Sequence, residues 1–192
     1  MSDKVSEVPD VDRLVDEISL LRGKVAQLQE RVEQLDLLAH QDSLINLPNR
    51  RGFMRELERL IARVGRYGDN AAMLFVDLDG LKMINDTFGH RAGDEALIQV
   101  ADLLSKGIRR SDVVARIGGD EFGILLENAN GESAHETATR LVDLICGSEL
   151  VYDGDALPLS VAIGVGTINT DDTPETVIAR ADEEMYRRKA AA

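Results

Sequence analysis

From Val11 to Ala39 apolar residues return at steps of three and four: Val11, Leu14, Ile18, Leu21, Val25, Leu28, Val32, Leu35 and Ala39. Set out as a heptad, this places Val, Ile, Val, Val and Ala at a and Leu at every d position through Leu35. β-Branched residues at a with Leu at d favour a parallel two-stranded coiled coil. The flanks agree, since Glu17 at g meets Arg22 at the next e across the seam, and Arg31 meets Asp36 in the same relation. Gly23 falls at an outward f position. A helix folded back on its own domain would carry a wider apolar stripe, whereas most b, c and f positions here are polar, Leu20 and Leu37 excepted. The pattern predicts a dimerising stalk over residues 1–40, whose four heptads rise about 42 Å.

Residues 41–192 are patterned differently. His40 to Pro48 breaks the heptad with turn-forming residues. Asn49 then reads as the N-cap of a helix to about Val64, with Phe53, Leu57, Leu60 and Ile61 at helical spacing. Ala71 to Leu78 is a short apolar run, the mark of a buried strand, and it ends in Asp77-Leu78-Asp79-Gly80. A brief helix near Lys82 to Phe88 stops at Gly89, and a longer one runs from about Ala92 to Lys106. Val113 to Ile117 and Phe122 to Leu126 flank Gly118-Gly119-Asp120-Glu121 and predict a β-hairpin. Helical periodicity over 132–147, an apolar run from Leu157 to Gly166 read as a central strand, and a helix opened by Thr173-Pro174 complete the chain. Strands alternating with helices predict an α/β domain with a mixed central sheet surrounded by helices.

Charge narrows the partners. Lys and Arg number 22 against 35 Asp and Glu, a formal net charge of −13. Proteins that bind polyanions neutralise phosphates with basic patches, so neither nucleic acid nor an anionic membrane surface is the expected partner. An anionic substrate would have to be met locally, by a metal ion or a few placed Lys and Arg. One cysteine, Cys146, excludes an intramolecular disulfide. The start of the chain lacks an apolar signal core and no apolar run approaches the roughly 20 residues that span a bilayer, so a cytoplasmic protein is expected.

Acidic residues recur where strands end: Asp77 after the first, Asp120 and Glu121 at the hairpin tip. If those strands are neighbours, three carboxylates converge, and like charges a few ångströms apart call for a cation. Oxygen donors without His or Cys suit Mg2+ or Mn2+. As ordinary turn residues, Asp120 and Glu121 would need no such role. Asp79-Gly80-Leu81-Lys82 passes from strand into helix, where amide N–H groups and the dipole bind phosphate and Lys82 adds charge. Asn85 and Asp94 read either as helix caps or as hydrogen-bonding partners for a guanine edge.

Arg116 to Phe122 spells R-x-G-G-D-E-F, and Asp77 to Asp94 spells D-L-D-G-L-K-M-I-N-D-T-F-G-H-R-A-G-D. With Asp42-Ser43-Leu44 and Leu47-Pro48-Asn49-Arg50 upstream, the chain resembles the GGDEF diguanylate cyclase domain from about Gln41 onward. The resemblance implies an α+β palm-like fold that condenses two GTP into cyclic di-GMP and two pyrophosphates, each of two facing domains holding one GTP. It implies that Asp77, Asp120, Glu121 and the Leu78 carbonyl hold Mg2+, with Asp120 and Glu121 catalytic. Asn85 and Asp94 would read guanine, and Gly80, Leu81, Lys82 and Lys189 would hold phosphates. Arg109 and Asp112 match the R-x-x-D at which this family binds its product as an inhibitor, and Arg140 is a candidate third member of that pocket. The sequence departs from the family's D-x-L-T-G-L at Ile45-Asn46, from its common aromatic at Gly80-Leu81, and from its A-K-x-x-G-R-N ending after Lys189. The rival expectation is an impaired GGDEF protein acting as a receptor for GTP or cyclic di-GMP. The stalk implies a homodimer and offers a docking place for a regulatory protein, as do residues 1–10.

Overall fold

In the computed structural model, residues 11–191 are described; residues 1–10, grouped above with the stalk, lie outside them. The chain divides into two units, residues 1–39 and 40–192. Among the described residues the first is one helix, α1 (Val11–His40), whose last residue belongs to the second unit. Its seam residues Leu14, Ile18, Leu21, Val25, Leu28, Val32 and Leu35 are all exposed, between 43% and 65%. Val15, Leu20 and Leu38 are exposed as well.

The second unit runs α2 (Arg50–Tyr67), β1 (Ala71–Leu78), α3 (Leu81–Phe88), α4 (His90–Lys106), β2 (Val113–Arg116), β3 (Glu121–Glu127), α5 (Gly131–Cys146), β4 (Glu149–Tyr152), β5 (Asp155–Pro158), β6 (Val161–Ile168) and α6 (Pro174–Ala191). Asn49 caps α2 through its side chain, accepting from the Arg51 and Gly52 amides, and Gly68 closes that helix in the left-handed conformation. The main sheet has the order β2-β3-β1-β6. β1 is buried on both faces. Ala72, Leu74, Val76 and Leu78 join a core with residues of α4 and α5, while Ala71, Met73 and Phe75 join one with residues of α2 and α6. Period-two alternation between two apolar layers leaves no polar face, which is why this strand reads as a continuous apolar run.

The class is as expected, an α/β domain with helices around a sheet, but every pairing in the sheet is antiparallel rather than mixed. The helical crossovers do join strands of like direction, β1 to β2 and β3 to β6. In each case another strand is inserted between the two, so no parallel neighbours form. Two further corrections concern the region read as one central strand over Leu157–Gly166. It is broken into β5 and β6, and β6 lies at the sheet's edge, paired only with β1. The edge strand looks central in sequence because α5 and α6 pack against it. β4 and β5 form a separate hairpin turned by Asp153 (φ 50°) and Gly154 (φ 92°), the two-residue Asp-Gly turn that suits strand twist.

Candidate active site

β1 and β3 pair with Asp77 directly opposite Glu121. The Asp120 carbonyl accepts the Leu78 amide at 2.9 Å, pinning the hairpin tip to the end of β1. Asp77 and Phe75 share a strand face by periodicity, so the carboxylate pair sits at the end of the layer that holds α2 and α6. Glu121 lines a cavity of about 210 Å3 with Arg50, Phe53, Phe75, Ile117 and Asp182. Burial pushes the Glu121 carboxyl above its ordinary pKa, the charges of Asp120, Asp77 and Asp182 push the same way, and Arg50 opposes them. Cross-strand carboxylates repel, and that strain is what a cation relieves.

Among the described residues no group of three or more His, Cys, Asp or Glu is already gathered around a point that could hold a metal. The donor set nevertheless suits Mg2+ or Mn2+, which need only one or two carboxylates because water and substrate phosphates complete the shell. Asp77 and Glu121 with Asp120 and the Leu78 carbonyl supply oxygens only. Lys189, expected beside phosphates, places its Nζ on Asp77 and 3.1 Å from Asp79 Oδ1. Burial disfavours that ammonium, but the hydrogen bonds it donates to Asp77 and Asp79 and the charges of those carboxylates outweigh it and raise the pKa above the usual lysine value.

Gly80 links β1 to α3 with φ 70°, a left-handed conformation that glycine adopts without steric cost. No side chain caps the start of α3, so its first amide groups face the turn without a side-chain acceptor. Lys82 is exposed in the first turn of α3. Asn85 lies against α4 at Gly93, where a Cβ would overlap the Asn85 amide oxygen. That close approach brings Asn85 beside the turn of α4 carrying the exposed Asp94.

A second group lies in the α4–β2 turn. Asp112 accepts from the Arg109 amide (3.0 Å) and the Glu127 amide (3.2 Å), which folds the turn and leaves the Arg109 side chain exposed. Arg140 reaches across from α5 to the Gly107 carbonyl at the end of α4. Arg109, Asp112 and Arg140 are thus brought to one place by hydrogen bonds to backbone.

The sequence profile described as "Diguanylate cyclase, GGDEF domain" matches residues 39–192. The chain belongs to the GGDEF family. Diguanylate cyclase TpbB of Pseudomonas aeruginosa is 37% identical over 185 residues, covering 95% of this chain and 42% of that protein. Response regulator PleD of Caulobacter vibrioides is 37% identical over 157 residues, 80% of this chain and 35% of that one. The chain therefore spans well under half the length of these curated relatives. Among solved structures, the coiled coil and GGDEF domain of DgcB from Caulobacter crescentus, in complex with c-di-GMP, superposes with a TM-score of 0.86 at 25% identity, covering 93% of this chain and 95% of that one. Diguanylate cyclase SiaD of Pseudomonas aeruginosa, in complex with its activator SiaC, gives 0.77 at 28% identity, covering 95% and 73%.

Within this GGDEF domain the signature Arg116 has a structural task. Its guanidinium donates twice to the Gly119 carbonyl (2.7 and 3.2 Å) and lies 3.4 Å from Asp42, so it straps the glycine turn to the entry segment. Asp42 also accepts from the Leu44 and Ile45 amides. Ile45, standing where the family has threonine, is 5% exposed and contributes packing in place of a hydroxyl. Arg50, Asp79, Ser160 and Asp182 are site neighbours that were not singled out from sequence. Arg50 and Asp79 fall inside quoted motifs, but Ser160 and Asp182 are ordinary polar residues that only the fold brings near. Among the described residues no helix is long and apolar enough to cross a membrane.

Proposed function

We propose that this chain is a diguanylate cyclase, condensing two GTP into cyclic di-GMP and two pyrophosphates while held as a dimer by α1. The observation that carries this reading is the cross-strand pair Asp77 and Glu121 at the end of β1, one residue from the turn that opens α3. A carboxylate pair beside a helix start lets one site hold both a divalent cation and a triphosphate.

Asp77, Asp120, Glu121 and the Leu78 carbonyl would hold Mg2+ or Mn2+, which when bound supplies Lewis-acid polarisation at phosphate oxygen. The amides of Gly80, Leu81 and Lys82, with the Lys82 and Lys189 ammonium groups, draw the β- and γ-phosphates toward the start of α3. Asn85 and Asp94 orient guanine through the donors and acceptors of its edge. With the base fixed at α4 and the phosphates at α3, the ribose 3′-hydroxyl is carried toward a second domain. Asp120 assists in taking the 3′-hydroxyl proton. A hydroxyl on one domain and an α-phosphate on another react only when the two meet, and a tether raises their effective concentration. The exposed heptad seam of α1 and the likeness to the coiled-coil form of DgcB support self-association.

Arg109, Asp112 and Arg140 form the product site by which cyclic di-GMP inhibits the enzyme, and regulatory proteins act on the stalk. DgcB in complex with c-di-GMP and SiaD with its activator support these two readings. The test is incubation with GTP and Mg2+, followed by chromatography for cyclic di-GMP, with Asp120→Asn as control. Product well above that control is expected; product equal to it would favour the receptor reading.

A further inference from the structure

The cation position against Asp77 is filled by the protein itself. Lys189 arrives from the end of α6, 112 residues further along the chain, and its Nζ bonds Asp77 and approaches Asp79 Oδ1 at 3.1 Å. Asp79 is held for this contact from its other side, where Ser160 Oγ donates to Oδ2 at 3.0 Å, while the Asp79 amide donates to the Ser160 carbonyl at 2.9 Å. The side chains of Lys189 and Asp77 are only 33% and 20% exposed, so their attraction is less screened than that of a surface pair. A single ammonium thus bridges two carboxylates that flank the Leu78 carbonyl and cancels one of their two charges, in the place where a divalent ion would cancel both.

We propose that Lys189 is the internal counter-ion of the Asp77–Asp79 pair in the nucleotide-free protein, and that it keeps divalent-cation affinity low until a nucleoside triphosphate arrives. This rests on reading Asp77 as a metal ligand. The ammonium and a divalent ion compete for one carboxylate oxygen, so the apparent metal affinity falls by the strength of the ion pair. A triphosphate at the start of α3 offers Lys189 a more highly charged partner, and the lysine exchanges Asp77 for phosphate. Lys189 then works twice, first occupying the carboxylates and afterwards gripping substrate, so that cation and nucleotide are taken up together. In the absence of substrate the same contact anchors the end of α6 to β1.

The experiment titrates Mn2+ into nucleotide-free full chain and follows free Mn2+ by electron paramagnetic resonance, with calorimetry in parallel. Lys189→Met is expected to bind Mn2+ about tenfold tighter than the parent, since loss of one partly buried competing ion pair is worth about one decade of affinity. Lys189→Gln should behave like Lys189→Met, and Lys189→Arg should stay within about twofold of the parent. Adding Asp77→Asn to Lys189→Met should abolish the gain. With a non-hydrolysable GTP analogue present, the advantage of Lys189→Met should vanish, because the lysine has already left the carboxylates. Equal or weaker Mn2+ binding by nucleotide-free Lys189→Met and Lys189→Gln overturns the proposal while leaving Asp77 as a ligand. If Asp77→Asn does not weaken Mn2+ binding even with the analogue present, the metal reading falls and the proposal falls with it.

Discussion

Gly164 offers the sharpest test of how α6 is seated, and hence of how Lys189 reaches the site. It pairs with Phe75 across β1–β6 and faces α6, where a Cβ would lie within 3 Å of the Ala181 carbonyl oxygen and the Met185 amide nitrogen, and also of the Met185 Cβ. Two of these obstacles are backbone atoms, so rotamer changes cannot relieve the clash. At Gly166, two residues on, a Cβ would lie 3.0 Å from the Val177 carbonyl oxygen, so the two glycines form a groove in which α6 lies directly on the strand. Gly164→Ala must therefore lift the helix as a body. Overpacking of this kind costs about 1–3 kcal/mol, and with backbone as the obstacle the upper end applies. Complete loss of the contact sets a ceiling: Val177 and Met185, 0% and 6% exposed, each gain about 1.5–3 kcal/mol from burial. We expect about 3 kcal/mol of destabilisation, which for a domain of this size lowers Tm by about 6–12 °C. Urea unfolding followed by circular dichroism reads it directly. Gly119→Ala is the control, because nothing lies within 4 Å of a Cβ there, and its stability should change by less than about 0.5 kcal/mol. Gly164→Ala within that same margin would refute the seating of α6 on β6.

Asp172 is held at a pKa of about 2, chiefly by its hydrogen bond with Arg180, helped by the Asn169 amide and Thr176. A depressed carboxylate pKa gives stability that is present in full above the unfolded value of about 3.9 and is lost as pH falls through 2. Allowing for the partly exposed Arg180, the stability gap between parent and Asp172→Asn should be roughly 1–2 kcal/mol at pH 5–7 and close between pH 4 and 2. A gap independent of pH across that window counts against the assignment. Leu28→Asp puts a charge on a d position of the heptad and should convert the protein to monomer in sedimentation velocity at low micromolar concentration, with cyclic di-GMP formation recovering as concentration rises. Insertions at residues 40–41 should alter the rate according to helical phase, four residues more than seven; indifference to phase would exclude coupling through the helix. Arg109→Ala should leave the initial rate unchanged and remove its decline in micromolar cyclic di-GMP, whereas undiminished inhibition would place the product elsewhere.

Most of the domain could be read residue by residue because its signals are local. Asn49, Gly89 and Thr173-Pro174 mark helix ends through their own backbone and side-chain chemistry, and the apolar run Ala71–Leu78 marks a strand whichever strands lie beside it. The heptad of α1 is equally local, since a seam is written in one helix before any second helix covers it. The Asp153-Gly154 turn carried the same kind of signal, but its flanking strands are only four residues long and half exposed, too short for alternation to show.

What no local pattern holds is who lies next to whom. That a strand separates each pair joined by a helical crossover, making the sheet antiparallel throughout, depends on all four strands competing for partners. That β6 lies at an edge is hidden because helices cover both its faces, and burial rather than position sets composition. The motifs named Asp77, Asp120, Glu121, Asn85, Asp94 and Arg109 as chemistry-bearing residues, but the sheet's register puts Asp77 opposite Glu121, and Gly93 lets Asn85 approach α4. Lys189 is the clearest case. The family resemblance alone marks it as a phosphate ligand, and Gly164 and Gly166 let α6 lie flat on β6 and deliver the ammonium to Asp77 and Asp79. Sequence determined which groups this protein can use, because side-chain chemistry and helical or strand period are properties of a short stretch of chain. Tertiary structure decided which charges meet, because Coulomb attraction acts over a few ångströms of space and takes no account of the 112 residues between.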